Sequence, residues 1–332
     1  MKMHITNLYG INSRASAVIA QNNVVKIARE LGFTEMGIPF CAVSSDSKSE
    51  LRKQLDGITS ALWQDDIVIF QFPSWNGTYY DKYLLKVIRL RANIRLAVFV
   101  HDMAPVMSGK ENEDYQKIID IFNMADLLIV PSERMLSVLR ERGLTVKNIM
   151  IQSMFDLPFT EDLNMPEFRR EIFFSGSQES CSFIETQNMG VPLRLFGFDS
   201  LTLNGKNLTF EGWKNTTELM MEYTKGGFGL IWEQAARSDY CAASQLCRLS
   251  AYLGAGIPVI VKKGHPHEET VLKYGLGFVV DSPGEAADRV RSVSEDEYFS
   301  MVGNIKNISF LIRGGFFTKK LLIDIVNYLM LG

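Results

Sequence analysis

The chain has 332 residues, long enough for two domains, and its 46% apolar and 22% charged residues are typical of a soluble globular protein. The net charge of −3 argues against extended electrostatic binding to nucleic acid, and no apolar run approaches the roughly 20 residues of a membrane-spanning helix. Four cysteines without CxxC or metal-ligand spacing, and a polar N-terminus without a signal peptide, predict a cytoplasmic protein with free thiols.

In the first half of the chain, apolar strands alternate with helices. Strands are predicted at residues 2–6, 66–72, 95–100 and 127–130. Helices are predicted at roughly 16–31, around 57–63, and at 81–91, 114–125 and 133–142. Continuous apolar strands separated by helices are typical of a parallel sheet that is covered on both faces.

Residues 155–168 (FDLPFTEDLNMPEF) interrupt this alternation and predict a linker between domains, because they combine prolines and acids without periodicity. Strands then return at residues 171–174, 193–196, 208–210, 229–232, 259–261 and 278–280, with a helix at 216–223 among the segments between them. An amphipathic helix is predicted at 317–331. The pattern therefore indicates two α/β domains, which typically bury a ligand in the cleft between them.

Residues 226–261 carry the clearest indication of a ligand site. The strand GGFGLIW is followed by a loop, by a helix that begins near Ser244, and by the buried strand IPVIV. Such a βαβ unit points a helix N-terminus at the carboxyl edge of a sheet, which suits a diphosphate. Arg248, one turn inside the helix, adds a positive charge; the alternatives are an ordinary buried βαβ unit and an arginine paired with a surface carboxylate.

Seven segments, in order along essentially the whole chain, resemble the streptococcal glucosyltransferase 3 family, which extends O-glycans on serine-rich repeat adhesins. They are MHITNLYG, FQFPSWN, VFVHDMAPVM, GGFGLIW, LGAGIPVIV, YGLGFVV and LIRGGFFTKKLL. In addition, ADLLIVPSERMLSVLRERGL resembles the strand–PS–helix element of many GT-B glycosyltransferases.

The resemblance implies an α/β protein of the GT-B fold, in which two Rossmann-like domains face a central cleft and a C-terminal helix crosses back to the N-terminal domain. The acceptor-side domain is then expected at residues 1–158 plus 312–332, and the nucleotide-sugar domain at 165–311. The resemblance also implies a UDP-sugar donor, no metal or other cofactor, and self-association of the chain as a tetramer.

Family donor contacts map onto this chain by motif. A small hydroxyl in the first loop corresponds to Ser16, a Tyr-Arg pair corresponds to Trp213 and Lys214, and a helical lysine corresponds to Arg248. The full predicted donor-binding set is Ser16, Ser180, Trp213, Lys214, Asn215, Thr216, Leu246, Cys247, Arg248, Leu249, Ser250 and Ala251.

Two of these positions depart from the family. Arg248 stands where the family has a lysine, so a planar guanidinium replaces a compact ammonium group. Ser180 stands where the family has an arginine. Another cation, such as Arg237, is a candidate replacement for the missing charge. Trp213 suits stacking on uracil, and the alternative for it is a core aromatic at a strand end.

The candidate base lies directly after the strand at 95–100, where His101 and Asp102 can take a proton from an acceptor hydroxyl. The alternative is a structural histidine and a turn aspartate. His265 and His267, in GHPHEE, are interpreted as loop residues because no third metal ligand is evident.

The acceptor-side candidates are Trp75 and Asn76, because aromatic rings suit sugar faces and amides suit hydroxyls. The alternative is a structured turn at Asn76-Gly77.

The paired glutamates of common retaining GT-B enzymes are absent here, since the matching positions hold Gly226 or Gly227 and Gln234 or Ala235. This favours inversion of configuration. The family resemblance implies a transferase that moves a hexose, with glucose as the first candidate, from a UDP-sugar to a GlcNAc-primed O-glycan on a serine-rich protein. The alternatives are a galactofuranosyl-type transferase that uses a lipid-linked acceptor, and a non-catalytic GT-B partner protein.

Overall fold

The computed structural model describes residues 1–11, 16–41, 47–103, 111–152, 154–176, 189–197, 207–232 and 242–331, with backbone only for 16–17, 111–114 and 242–246. Contacts divide the described chain into two compact units. The first contains the described parts of Met1–Phe155, of Asp239–Ser244 and of Phe317–Gly332. The second contains the described parts of Asp156–Ser238 and of Gln245–Phe316.

The first unit is built on a parallel sheet of six strands in the order β2-β1-β3-β4-β5-β6. Its strands are β1 Met3–Tyr9, β2 Thr34–Pro39, β3 Ile67–Phe72, β4 Arg95–Val100, β5 Leu127–Val130 and β6 Ile149–Ile151. Its helices between strands are α1 Ser16–Glu30, α2 Lys48–Ile58, α3 Thr78–Ile88, α4 Glu111–Phe122 and α5 Glu133–Glu141.

The central strands of this sheet are apolar because both faces are covered. Every residue of β3 is buried, and β3 pairs with β4 from Ile67 opposite Arg95 to Phe72 opposite Val100. The C-terminal helix of the chain also belongs to this unit, since Leu322 and Ile325 pack in the same core cluster as Ile5. The first unit therefore needs the end of the chain to complete one face of its sheet.

The second unit contains another parallel sheet of six strands, in the order β12-β11-β10-β7-β8-β9. Its strands are β7 Ile172–Ser175, β8 Leu193–Phe196, β9 Leu208–Gly212, β10 Phe228–Ile231, β11 Val259–Lys262 and β12 Gly277–Val280. The remaining described helices are α6 Thr216–Tyr223, α7 Ala242–Ala255, α8 Glu268–Tyr274, α9 Pro283–Ser292, α10 Glu295–Arg313 and α11 Phe316–Leu331.

Close packing fixes α7 against β10. A Cβ on Gly229 would lie only 2.1 Å from Cγ of Tyr252, so no larger residue fits at this position of β10 without displacing that ring. The glycine thus lets the helix that carries Arg248 approach the centre of the sheet.

The two parallel sheets confirm the predicted α/β class, and the differences from the predicted elements lie mainly at the edges of the first sheet. The edge strands β2 and β6 were not predicted, and the helix expected around residues 57–63 lies instead at Lys48–Ile58. Among the described helices, none is long and apolar enough to cross a membrane.

The unit boundaries differ from the predicted domain bounds, since residues 156–158 and 312–316 lie in the second unit and the described part of 239–244 lies in the first. Residues 312–316 belong to the second unit because they include the end of α10 and its connection to α11, and the end of α10 is hydrogen-bonded within that unit. The backbone N–H of Leu157 donates to the carbonyl of Ile312, and that of Phe159 donates to the carbonyl of Arg313. The return to the first unit begins at Phe317.

A buried carboxyl group lies in the first turn of α3. Asp81 is 1% exposed and accepts a hydrogen bond from the Ser74 hydroxyl. Burial raises the pKa of Asp81 to about 7, although the hydrogen bond from Ser74 acts in the opposite direction. The native protein therefore holds this proton more tightly than the unfolded chain does.

Because the folded pKa lies above the unfolded value, the free energy of unfolding is expected to decrease as the pH rises from about 4 to about 7, and to level off above. Each unit of pKa shift corresponds to about 1.4 kcal/mol. The variant Asp81→Asn keeps an acceptor for Ser74 and should lose this part of the slope. Urea titrations followed by circular dichroism between pH 4.5 and 8 measure it, and identical slopes for the two proteins would contradict the assignment.

Candidate functional site

The order of the second sheet creates a crevice at its carboxyl edge. Strands β7 and β10 are neighbours, but the chain continues from β7 to β8 on one side and from β10 to β11 on the other. The connections leave in opposite directions, and ligands of open α/β sheets bind at such a point. Ser175 ends β7, Trp232 follows β10, and Lys262 ends β11 at this edge.

Arg248 reaches this crevice from α7, the helix that follows β10. A terminal nitrogen of its guanidinium donates to the carbonyl oxygen of Ser175 at 3.1 Å. The guanidinium carbon lies 5.9 Å from the ring centroid of Phe174. These contacts hold a full positive charge where β7 and β10 end, which is the position predicted for a diphosphate-binding residue.

Two buried tyrosines hold Ser175 in place. The Tyr223 and Ser175 hydroxyls are hydrogen-bonded to each other. The Tyr252 hydroxyl accepts from the backbone N–H of Ser175 at 3.2 Å and donates to the Phe173 carbonyl at 3.3 Å. Burial raises the pKa of both tyrosine hydroxyls, which keeps them neutral. Ser175, Tyr223 and Tyr252 together form what we call the tyrosine frame. The sequence did not predict it, because its residues are distant in the chain.

The loop that follows β9 and the first residue of α6 contain four predicted donor-binding residues. Trp213 is 37% exposed, so part of its ring is accessible. The ammonium of Lys214 lies 3.7 Å from a Glu211 carboxylate oxygen and 3.9 Å from one of Glu222. The side-chain oxygen of Asn215 accepts from the N–H of Glu218 and caps α6, whose first residue is Thr216. The carboxylates of Glu211 and Glu222 also pair with Arg194 at 2.7 Å, so Lys214 is one member of a larger ion-pair network.

The other predicted donor residues lie in or before α7, or in the first unit. Leu249 and Ser250 are buried, and Cys247 and Ala251 are partly buried. Leu246 is described by its backbone alone, as is Ser16, which begins α1. Ser180 and Arg237 lie outside the described residues.

At the carboxyl edge of the first sheet, His101 is fully buried. Its ring stacks on Phe99 with centroids 4.5 Å apart, and its Nε2 lies 2.9 Å from Oε1 of Gln71. The Gln71 amide nitrogen donates to the Thr6 carbonyl at 2.6 Å, so its oxygen faces the histidine. The imidazole therefore carries its hydrogen on Nε2.

This arrangement limits what His101 can do as a base. Its Nδ1 is buried, and no hydrogen-bond partner for it occurs in the described part of the chain. Burial lowers the pKa of His101 to about 3, so the ring is neutral near pH 7. Asp102 is only partly buried, and its Oδ1 accepts from the N–H of Met103 at 2.7 Å. The carboxylate is thus the more accessible member of the predicted pair.

The predicted acceptor-side residues have different roles in the loop after β3. The Asn76 amide is bound to main chain, since its oxygen accepts from the N–H of Cys41 at 2.9 Å and its nitrogen donates to the Pro39 carbonyl at 3.0 Å. Trp75 is 36% exposed and has a φ of 63°, a left-handed conformation that costs on the order of 1 kcal/mol for a residue with a side chain. The loop thus holds an accessible indole in a strained conformation.

No group of three or more His, Cys, Asp or Glu side chains within the described residues has an arrangement that could hold a metal ion.

The tyrosine frame generates a stability prediction. Tyr252→Phe removes the acceptor of the Ser175 N–H, and an unsatisfied buried polar group costs about 1–3 kcal/mol. We expect the free energy of unfolding to decrease by that amount in a denaturant titration. The control Tyr274→Phe alters a tyrosine that is 52% exposed and should change little. Equal stabilities for the two variants would show that the frame does not stabilise the second unit.

Two family models match the chain. The N-terminal domain of the glucosyltransferase 3-like family matches residues 2–154, and the C-terminal domain of that family matches residues 172–325. Glucosyltransferase 3 of Streptococcus gordonii is 38% identical over 330 residues, and that of Streptococcus parasanguinis is 35% identical over 326 residues. Each of these matches covers 98% of both chains. A β-1,6-galactofuranosyltransferase of Escherichia coli K12 is 22% identical over 82% of this chain and 83% of its own.

Solved structures share the fold at low sequence identity. Sucrose-phosphate synthase of Thermosynechococcus elongatus has a TM-score of 0.68 at 10% identity, and the match covers 99% of both chains. Anabaena HepE in complex with UDP-glucose has a TM-score of 0.67 at 10% identity, over 99% of this chain and 100% of HepE. With both domain models and two close full-length relatives in agreement, this chain belongs to the glucosyltransferase 3 family and is a glycosyltransferase of the GT-B fold.

Proposed function

We propose that this enzyme transfers a hexosyl group, with glucose as the first candidate, from a UDP-sugar to a glycan acceptor. The observation that carries the proposal is the position of Arg248, which bonds to the end of β7 at the crevice between β7 and β10. Support for the nucleotide comes from HepE, which shares the fold and has been solved with UDP and with UDP-glucose. Support for the sugar comes from the streptococcal relatives, which are named glucosyltransferases.

In this reaction the bond between the anomeric carbon and the diphosphate breaks, and a bond to the acceptor oxygen forms. The departing diphosphate gains negative charge, and the acceptor hydroxyl loses its proton. Arg248 would stabilise the charge on the diphosphate, an effect worth a few kcal/mol for a preorganised donor. No metal ion is needed for this role.

The pair His101 and Asp102 is assigned to accept the proton of the acceptor hydroxyl. The reaction is proposed to invert the configuration at the anomeric carbon. Asp102 is the better candidate to accept it, because it is only partly buried. The low pKa of His101 makes its ring a weak base, and its contact with Gln71 holds the backbone that precedes Asp102. In this assignment His101 positions the carboxylate.

The acceptor is proposed to be a GlcNAc-primed O-glycan on a serine-rich protein in the bacterial cytoplasm. Trp75 is the proposed contact to the acceptor sugar, because its indole is accessible, while Asn76 supports the loop. Trp213 is the proposed contact to uracil. Ser16, Ser180 and the remaining residues around Arg248 complete the proposed donor site, and the enzyme is proposed to act as a tetramer.

A second candidate is transfer of galactofuranose to a lipid-linked acceptor. The observation in its favour is the match to the E. coli galactofuranosyltransferase over most of both chains. Competition between UDP-glucose and UDP-galactofuranose for one limiting amount of enzyme separates the two candidates, because the true donor is consumed first.

Arg248→Ala is expected to weaken UDP binding about tenfold or more, since it removes a charge-assisted contact. Isothermal titration calorimetry measures the affinity. The matched control is Arg289→Ala, which removes an exposed arginine in α9 of the same unit. Equal UDP affinity for both variants would remove Arg248 from the donor site, and a wild-type protein that binds no UDP would refute the proposed donor.

Asp102→Asn is expected to lower kcat by about 100-fold or more, the contribution typical of general-base catalysis. His101→Ala should lower kcat less and leave UDP affinity unchanged. Initial rates and calorimetry on the same preparations test both expectations. Full turnover by Asp102→Asn would show that this carboxylate is not the base.

A further inference from the structure

The loop after β11 borders the crevice occupied by Arg248. Strand β11 pairs with β10 in parallel, from Gly229 opposite Val259 to Ile231 opposite Val261. The carboxyl ends of both strands therefore lie at the same edge of the sheet. Lys262 and His265, which no sequence motif singled out for donor binding, lie at this edge.

Lys262 is a cation without a carboxylate partner in the part of the chain that the structure describes. It is partly buried, and its ammonium lies 5.3 Å from the ring centroid of Trp232, which is 7% exposed. The next residue differs in its surroundings, since Lys263 is exposed and its ammonium lies 3.7 Å from an Asp281 carboxylate oxygen. An aromatic face attracts a cation but does not neutralise its charge, so Lys262 can accept an anion.

His265 presents a hydrogen-bond donor near the same place. Its Nδ1 accepts from the backbone N–H of His267 at 3.1 Å, so the neutral ring carries its hydrogen on Nε2. That Nε2 is buried and has no acceptor among the described residues. A buried donor of this kind costs free energy until it meets an acceptor.

The charge of Arg248 acts on His265. Burial, and then His267 and Arg248, lower the pKa of His265 to about 3. The ring is therefore neutral near pH 7 and adds a donor without adding a charge. Only β10 separates the end of β11 from the end of β7, where the guanidinium of Arg248 bonds.

We propose that Lys262 and His265 bind the diphosphate of the donor together with Arg248, Lys262 as the second positive charge and His265 through its Nε2–H. This inference rests on the proposed UDP-sugar function and extends its donor site. A UDP-sugar carries two negative charges on its diphosphate, which the charges of Arg248 and Lys262 match. Lys262 would thus supply the charge that Ser180 does not.

Calorimetry with UDP-glucose tests the role of Lys262. Lys262→Met keeps an unbranched side chain of similar length beside Trp232 and removes the charge, and it should weaken binding about tenfold. Lys263→Met is the matched control and should change the affinity less than about twofold, because an exposed ion pair contributes little. Uridine, which lacks the diphosphate, should bind wild type and Lys262→Met equally. Equal UDP-glucose affinities for the two lysine variants would overturn the assignment.

A pair of substitutions tests His265. Gln carries an amide nitrogen near the position of Nε2, whereas Asn keeps an oxygen near Nδ1 for the N–H of His267. We therefore expect His265→Gln to bind UDP-glucose severalfold more tightly than His265→Asn, with melting temperatures compared as a check on folding. The reverse order, or no difference, would remove His265 from the site.

The binding measurements distinguish a wrong assignment of Lys262 from a wrong donor for the enzyme. Binding by wild type with an unaffected Lys262→Met variant rejects this inference alone. Wild-type protein that binds neither UDP nor UDP-glucose rejects the proposed function, and this inference with it.

Discussion

The placement of β7 beside β10 is the constraint on which the proposed donor site depends. It separates the connections that follow the two strands and leaves the end of β7 open at Ser175. Gly229 then allows α7 to pack closely enough for Tyr252 to bond with the Ser175 backbone and for Arg248 to reach its carbonyl. The position of the Arg248 guanidinium thus follows from the strand order, from the absence of a side chain at Gly229 and from the hydroxyls of the tyrosine frame.

The polar side chains at the carboxyl edges of the two sheets differ in charge and in bonding. In the first sheet, Gln71 and Asn76 are bonded to the main chain, and His101 is buried and neutral. In the second sheet, Arg248 and Lys262 bring positive charge to the ends of β7 and β11, the two strands that flank β10. The first edge is therefore suited to shaping the two loops that present Trp75 and Asp102, whereas the second is suited to an anion.

The central strands and the α/β class were predictable because continuous apolar runs identify strands buried on both faces. The edge strands were not: β2 contains a glycine and a proline, with only Met36 and Ile38 buried, and β6 has three residues. The resemblance located Arg248, but the tyrosine frame joins residues 48 and 77 positions apart. Contacts over such distances leave no periodic signal, and the surroundings of Lys262 and His265 also appear only once the strands are paired.

The central claim, that this family member is a UDP-sugar transferase, is tested most directly by a transfer assay. Purified enzyme is incubated with a GlcNAc-modified serine-rich peptide and, in separate reactions, with UDP-glucose, UDP-galactose, UDP-GlcNAc and UDP-galactofuranose, and the peptide mass is measured. The account predicts that the peptide gains the mass of one hexose with UDP-glucose and that UDP is released in equal amount. No mass gain and no UDP release with any donor would contradict it.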